Sequence, residues 1–406
     1  MSLYGTMRTG VSGMNAQANR LSTVAENIAN SSTTGYKRAS TEFSSMILPS
    51  SNGSYNSGGV QTSVRYSISD QGSTTYTTSG SDLAIDGDGF FIVQGANGQE
   101  YLTRAGAFVQ DDAGNLVNAA GFTLMGYEYE AGVDPTVVVN GFDGLTEVNL
   151  ASEGLSAAGS TAGAMGANLP SGAANGDVST TSLIVYDSQG NTRILDFNYT
   201  KLADNQWELE IIDRTSALSL GTATLDFDTD GVLTTSPGSL TLDPTGAGLN
   251  PISGTGAVLN DIVIDFSETT QLGTSFTPDG GEIDGNAPSK VSGYQIDTDG
   301  VVYIKYANGE LEPRYRIALA NVQSPDKLVP ESGNVYSQGV DSGVIVTGFA
   351  GSGSFGEILS GALESSNVDI ADELTSMIES QRNYTANSKV FQTGSELLEV
   401  LVNLKR

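Results

Sequence analysis

Near the N-terminus, Met7, Val11, Met14, Ala18, Leu21, Ala25 and Ile28 recur at alternating steps of four and three. The same stepping runs near the C-terminus through Ile370, Leu374, Met377, Gln381, Tyr384, Ser388, Phe391, Ser395, Leu398 and Val402. That spacing is a heptad, and neither stretch contains proline. Each predicts one amphipathic helix, roughly 40 and 55 Å long at 1.5 Å per residue. A helix cannot bury its own stripe, so each stripe predicts a partner. The nearest partner is the other terminus, and small Ala18, Ala25, Ser388 and Ser395 would permit close approach. A pair of ordinary core helices would show the same spacing, so the pattern alone leaves both readings open.

Between the ends the pattern changes to β. Residues 34–70 are polar and weakly periodic, with a Pro49–Ser54 patch of turn formers, and read as a linker. From about 71, short apolar runs punctuated by Gly predict strands: Leu83–Ile85 and Phe90–Val93 across Asp86-Gly87-Asp88-Gly89, then Tyr101–Val109, Asn115–Val117 and Phe122–Tyr129. The pattern resumes at Gly293–Ile296, Val301–Ile304 and Arg314–Leu319. Within 146–285, Leu183–Tyr186 and Ile194–Tyr199 flank the turn sequence Asp187–Asn191, a hairpin signal. Trp207–Ile211 alternates as a strand with one wet face does. Residues 151–180, rich in Ala, Gly and Ser, follow no clear pattern. The expected layout is nested. A terminal helical coiled coil (1–33 and 362–406) encloses a discontinuous β domain (71–145 and 286–361). That domain encloses an inserted outer β domain (146–285). The fold class is therefore multidomain and mainly β, with terminal helices.

Charge narrows the partners. The chain has 406 residues and a net charge of −29, which disfavours nucleic acid and acidic membrane surfaces. Between 146 and 285 the basic residues are Arg193, Lys201 and Arg214 alone. Arg8, Arg20, Lys37 and Arg38 make the N-terminal region mildly basic. Glu364, Asp369, Asp372, Glu373 and Glu379 make the start of the C-terminal one acidic, so the ends complement each other in charge. With no Cys there is no disulfide framework, and with no His the commonest general base and zinc ligand are missing. No run reaches transmembrane length, and the amphipathic N-terminus lacks the apolar core of a secretory signal. No membrane insertion is expected, and export would need a dedicated route.

Sharper chemistry finds little support. Gly351-Ser352-Gly353-Ser354-Phe355-Gly356 matches a dinucleotide fingerprint, but no βαβ unit follows it, so a joint before the helix is the plainer reading. Asp226–Gly231 matches half an EF-hand loop, with Pro237 where the bidentate Glu belongs. That segment, Asp297–Gly300 and Asp86–Gly89 read as Asp-rich turns, with weak calcium binding as the alternative. No carboxylate pair stands out, so no catalytic, cofactor or metal residue is assigned and no enzyme activity is expected.

Asn27-Ile28-Ala29-Asn30, followed by Thr34-Gly35-Tyr36-Lys37, resembles the N-terminal signature of the bacterial flagellar axial proteins of the rod and hook. Asp82–Phe91 is similar to that family's next motif, with Asp86, Gly87, Gly89 and Phe90. Leu363–Asp369, with Asn367, and Gln381-Arg382-Asn383-Tyr384-Thr385-Ala386-Asn387 resemble its C-terminal motifs. Val185–Asn191 resembles the outer domain of hook-type members, which shorter rod members lack. The resemblance implies a self-assembling subunit of a curved, flexible tube that passes torque from rod to filament and encloses the export channel. The terminal helices would line that channel with the β domains outside. The implied partners are further copies of the chain, rod proteins, the hook cap, hook–filament junction proteins and the flagellar type III export apparatus. The implied location is extracellular, in the flagellum. A rod subunit and a secreted surface-layer or adhesin protein remain as alternatives. The assembly seam is expected at the apolar heptad positions Met7, Val11, Met14, Leu21, Ile28, Ile370, Leu374, Met377, Tyr384, Phe391, Leu398 and Val402.

Overall fold

The two heptad segments are helices, α1 (Leu3–Ala29) and α2 (Ile370–Leu404). The computed structural model describes residues 3–47, 57–130, 133, 135–151 and 154–404. After α1, Gly35 turns the chain at a left-handed φ of 67°. A Cβ there would lie 2.6 Å from backbone atoms of Arg104 and Ala105, so only glycine fits. α2 begins later than the expected residue 362, because Ala362–Glu364 pairs as a strand with Thr74–Tyr76. Asp369 then caps the helix: its Oδ1 accepts from the Ala371 N–H at 2.8 Å, and Asp372 and Glu373 put negative charge in the first turn.

The segment expected to be a linker contains a β-ribbon, β1 (Ala39–Ile47) against β2 (Ser57–Tyr66), with Phe43 opposite Thr62. Its apolar periodicity is weak because polar contacts seat it on α1. Ser12 Oγ exchanges hydrogen bonds with the Val60 backbone, Asn19 Nδ2 donates to Thr62 Oγ1 at 2.9 Å, and the Thr23 and Thr41 hydroxyls meet at 2.9 Å. The Pro49–Ser54 patch lies outside the described residues.

By its contacts the chain divides into two units. The first comprises Met1–Ser152, Gly293–Lys305 and Leu311–Arg406. Its β core joins strands distant in sequence: Leu311–Val322 pairs with Phe90–Gln94, Thr123–Glu128 and Ile345–Phe349. Phe90, Ile92, Leu102, Met125, Ala320 and Tyr336 are buried together there. Gly351–Gly356 is an ordered turn rather than a joint to the helix. Gly351 N donates to Gly356 O, Gly356 N donates to Asp88 O at 2.8 Å, and the chain continues as strand Glu357–Ser360. A Cβ at Gly356 would collide with the Asp86 carbonyl, which explains the glycine without a ligand.

The second unit comprises Glu153–Ser292 and Tyr306–Glu310. A meander of Val178–Tyr186, Thr192–Ala203, Gln206–Asp213 and Leu218–Asp226 faces a five-stranded sheet. Ala162–Pro170, from the stretch that showed no pattern, is central in that sheet and pairs with three other strands. Its alternate residues Met165, Ala167 and Leu169 enter the core. Gly163 sits where a Cβ would approach Glu282 O to 2.7 Å, so the small residues allow tight strand pairing. The Asp-rich turns close on their own backbones: Asp187 Oδ1 accepts from Gln189 and Asn191 N–H, and Asp228 Oδ1 from Asp230 and Val232 N–H.

Trp207, the only tryptophan, is fully buried in this unit beside Leu209 and Phe197. Its fluorescence therefore reports this unit's unfolding alone. Leu209→Ala should cost about 2–5 kcal/mol through lost burial and a cavity. Urea unfolding followed by tryptophan emission should show an earlier midpoint; an unchanged midpoint would contradict this core assignment.

Candidate assembly surface and the junction that holds it

Most of the family-motif residues of the first unit gather where the helices meet the β core, while Gln381, Arg382 and Asn387 lie further along α2. Glu364 is the hub. Its Oε1 accepts from Lys37 Nζ at 2.6 Å and from Gly72 N–H at 2.9 Å, and its Oε2 accepts from an Arg104 guanidinium nitrogen at 3.2 Å. Its backbone carbonyl accepts from Gly35 N–H at 2.7 Å. The Lys37 and Glu364 side chains are each 1% exposed. Lys37 also donates to Asp70 O, while burial pulls its ammonium below the ordinary lysine value against the opposing pull of Glu364. Arg104 donates to Gly87 O and lies over the Phe90 ring, 5.2 Å from its centroid. Gly87 and Gly89 take φ of 104° and 128°, which places that carbonyl, while Asp86 is exposed.

A second set of bonds fixes the helix ends. Asn27, fully buried, donates to Ala39 O at 2.7 Å and accepts from Ala39 N–H at 2.9 Å and from Tyr36 Oη–H at 3.2 Å. Burial pushes the Tyr36 phenol up to about 12, with Glu26, Tyr66 and Glu373 adding to the shift. Asn30 closes the helix end, accepting from Thr33 Oγ1 and donating to Glu26 O. Asn367 Oδ1 accepts from Arg38 N–H at 2.7 Å, and its Nδ2 donates to Ser67 O and Asp70 O. Arg38 Nε donates to the buried Glu373 at 2.6 Å.

α1 and α2 pack antiparallel, and only partly on the stripes read from sequence. Gly10 and Gly13 face Asn387 and Phe391, Gly394 faces Met7, and Arg20 bonds Glu379 at 3.0 Å. The inward positions of α2 are Glu373, Met377, Ser380, Asn387, Gly394 and Leu398, a heptad stripe of mixed small, polar and apolar residues. Gln17 Oε1, Ser380 Oγ and Glu373 Oε2 are buried along the helix pair without a partner. Close approach comes from the glycines. Ala18, Ala25 and Ser395 are exposed and Ser388 only half-buried, so the small residues expected to permit it do not form the tight contact. A glycine brings backbones together, which no apolar stripe announces. Gly10→Val should cost about 1–3 kcal/mol by overpacking against the Asn387 backbone, 3.3 Å from a Cβ at that position. The helical signal at 222 nm would then melt at lower temperature; an unchanged melt would argue against this seam.

Of the expected seam residues, Met7, Met14, Leu21, Ile28, Met377 and Leu398 are half-buried. Val11, Ile370, Leu374, Tyr384, Phe391 and Val402 are 37–64% exposed. Ile378, Val390, Leu397 and Leu401, also more than half or about half exposed, join them as apolar residues that the single chain leaves open. Gln381 and Arg382 of the C-terminal motif point to solvent. Glu364, Arg104, Arg38, Glu373, Gly10 and Gly13 were not among the expected site residues. The Gly10-x-x-Gly13 pair inside a helix, where each glycine costs about 1 kcal/mol relative to Ala, was the available signal for the seam.

The family comparisons cover the same parts of the chain. Residues 7–37 match the model "Flagella basal body rod protein", and 359–404 match "Flagellar basal body rod FlgEFG protein C-terminal". Residues 84–180 match "Flagellar hook protein FlgE/F/G D1 domain", and 149–286 match "Flagellar basal body protein FlaE D2 domain". The flagellar hook protein FlgE of Rhizobium meliloti is 80% identical, with 100% of both chains covered. That of Escherichia coli is 33% identical, covering 97% of this chain and 98% of its own. A crystal structure of Helicobacter pylori flagellar hook protein FlgE2 shares the fold at a TM-score of 0.51 and 14% identity, covering 70% of this chain and 98% of that one. With relatives at these identities aligned from end to end, the chain belongs to the flagellar hook protein family.

Proposed function

We propose that this chain is the structural subunit of an extracellular bacterial flagellar hook, and that its copies polymerise through the helix pair. It is not an enzyme. One observation carries the mode of assembly: α2 leaves Ile370, Leu374, Ile378, Val390, Leu397 and Leu401 each about half exposed, after its seam with α1 is complete. Isolated apolar residues on a surface are ordinary, but this many left open along one long helix mark it as an interaction surface. Neighbouring helix pairs bury that surface, line the export channel and form a curved tube that passes torque between rod and filament. Rod proteins, a hook cap, hook–filament junction proteins and the flagellar type III export apparatus are its partners. The rod-subunit alternative fits less well, because the relatives that match from end to end are hook proteins. The full-length relatives leave the adhesin reading without support.

Expression of this chain in a cell that lacks its own hook protein tests the reading. Hooks built from it should appear at the cell surface, and motility should return. Export of the chain without surface hooks would count against it.

A further inference from the structure

The four-stranded meander of the second unit has two edges, and the fold closes only one. Along Leu218–Asp226 the chain itself occupies the outer backbone groups. Leu220 O accepts from Asp243 N–H, Thr224 O from the Thr235 hydroxyl, and Asp226 O from Thr234 N–H. The opposite edge is Val178–Tyr186. Its odd-numbered residues bond the neighbouring strand, Thr192–Ala203, in the same series as Asp187 N–H to Asn191 O. The even-numbered residues therefore turn their N–H and C=O outward. Ser160 takes up both outward groups of Tyr186. Beyond it, no strand among the described residues pairs with Val178, Thr180, Ser182 and Ile184. Their side chains share one exposed face, with Val178 58% and Ile184 50% exposed. The strand contains no charge and no proline, two common devices that blunt an open edge. The strands beside it carry Arg193, Asp196, Glu208 and Glu210.

We infer that this edge docks the same edge of a second copy, antiparallel about a two-fold axis at Thr181, in the free subunit. Register selects this occupant. Val178 then faces the partner's Ile184, and Thr180 faces the partner's Ser182. All four open residues of each edge find partners, giving about eight backbone hydrogen bonds, two for each facing pair. A shift by two residues spoils the match. It sets Ile184 opposite the partner's Gly176, beyond the strand, or Val178 opposite the partner's Tyr186, which Ser160 already holds. The matched register also brings the exposed apolar side chains together at each end and the hydroxyls together between them, as favourable cross-strand pairs require. The two meanders become one continuous sheet. A single strand edge buries less than the roughly 1,200 Å² of a stable interface, so the pair is weak, with a Kd of about 0.1–1 mM. The acids elsewhere in the unit oppose it, and salt strengthens it by screening them. Subunits in a tube point one way, whereas a two-fold contact joins copies that point opposite ways. The pairing is therefore a property of the unassembled chain and stands or falls apart from the hook reading.

The chain has no cysteine, so an introduced one reports the axis cleanly. Thr181 meets the partner's Thr181 in a non-hydrogen-bonded pair, the closer of the two kinds and within reach of a disulfide. Oxidised at high subunit concentration, Thr181→Cys should give disulfide dimers that stop at two. Thr222→Cys, on the closed edge, is the control. Thr222 is exposed and Thr181 half-buried, so accessibility alone would favour the control. Several-fold more dimer from Thr181→Cys is the expected result. Equal or lower yield, or a ladder of larger multimers, would overturn the pairing. If Thr181→Cys disturbs the fold, read as a shift in Trp207 emission, Ile184→Lys decides. That residue is half exposed, so the fold tolerates the change while the charge blunts the edge. In sedimentation runs from micromolar to millimolar subunit, below the salt that drives tube growth, the mean mass of wild type should rise toward twice that of the monomer. Ile184→Lys should stay monomeric throughout. A wild type that stays monomeric, or a variant that associates as wild type does, would overturn the inference.

Discussion

Glu364→Ala should destabilise the subunit by about 3–5 kcal/mol, the usual cost of leaving a buried ion-pair partner uncompensated. The substitution strands Lys37 and Arg104 inside the fold with no carboxylate between them. It also leaves Gly72 N–H without its acceptor. Both cations are already expensive: burial alone pulls Lys37 below its ordinary value. Glu364→Gln should fall between wild type and Glu364→Ala, because the amide can still accept from Lys37 but offers a donor where Arg104 needs an acceptor. Replacing Lys37, Arg104 and Glu364 together with Met, Met and Leu should recover part of that loss, since the desolvation penalty goes with the charges while Gly72 N–H, Asp70 O and Gly87 O still lose their partners. Thermal melts of the three variants by circular dichroism give the order. If Glu364→Ala melts with wild type, the buried network does not hold the junction.

Excising the inserted unit should leave tubes that still form but are straight or differently curved. The excision is feasible because the unit begins and ends side by side: Leu155 pairs with Lys290 and Ser156 with Ser289. A short Gly-Ser linker can therefore join Ala151 to Gly293. The unit is also strongly acidic, and apart from exposed Lys290 its cations are committed within it. Arg193 bonds Asp213 at 2.6 Å, Arg214 bonds Asp196 at 2.5 Å, and Lys201 is buried with Nζ 4.9 Å from the Trp207 ring centroid. Acidic faces on neighbouring copies repel over about 8–10 Å at physiological salt, which favours sliding over rigid locking. Curvature measured by electron microscopy on excised and intact chains tests this division of labour. An excised chain that folds and is exported yet never polymerises would make the unit a required assembly contact.

The sequence was informative where a periodic pattern met a single kind of burial. The heptads marked both terminal helices, and the alternation at Trp207–Ile211 marked a strand with buried Trp207, Leu209 and Ile211. It was less informative where backbone approach or polar bonding decides the packing. The β1–β2 ribbon read as linker because Ser, Thr and Asn hold it on α1, and hydrogen bonds leave no hydrophobic period. The close approach of the helices was not legible because Gly10, Gly13 and Gly394 bring the backbones together, while only Met7, Met377 and Leu398 of the apolar stripes turn toward the contact. Glu364 lay in plain view inside a family motif. Its importance depends on Lys37, Gly72 and Arg104 arriving from three other parts of the chain, which spacing along the sequence cannot express. The Ala/Gly/Ser stretch of 151–180 gave no periodic signal because small residues are what a crowded central strand tolerates.

The most direct test of the central claim is electron microscopy of the purified chain, seeded with hook fragments or brought to high salt. Curved tubes with a central channel, growing from the added subunit, are the expected result. A chain that stays monomeric, or that precipitates without tubular order under every such condition while its two units remain folded, would contradict it.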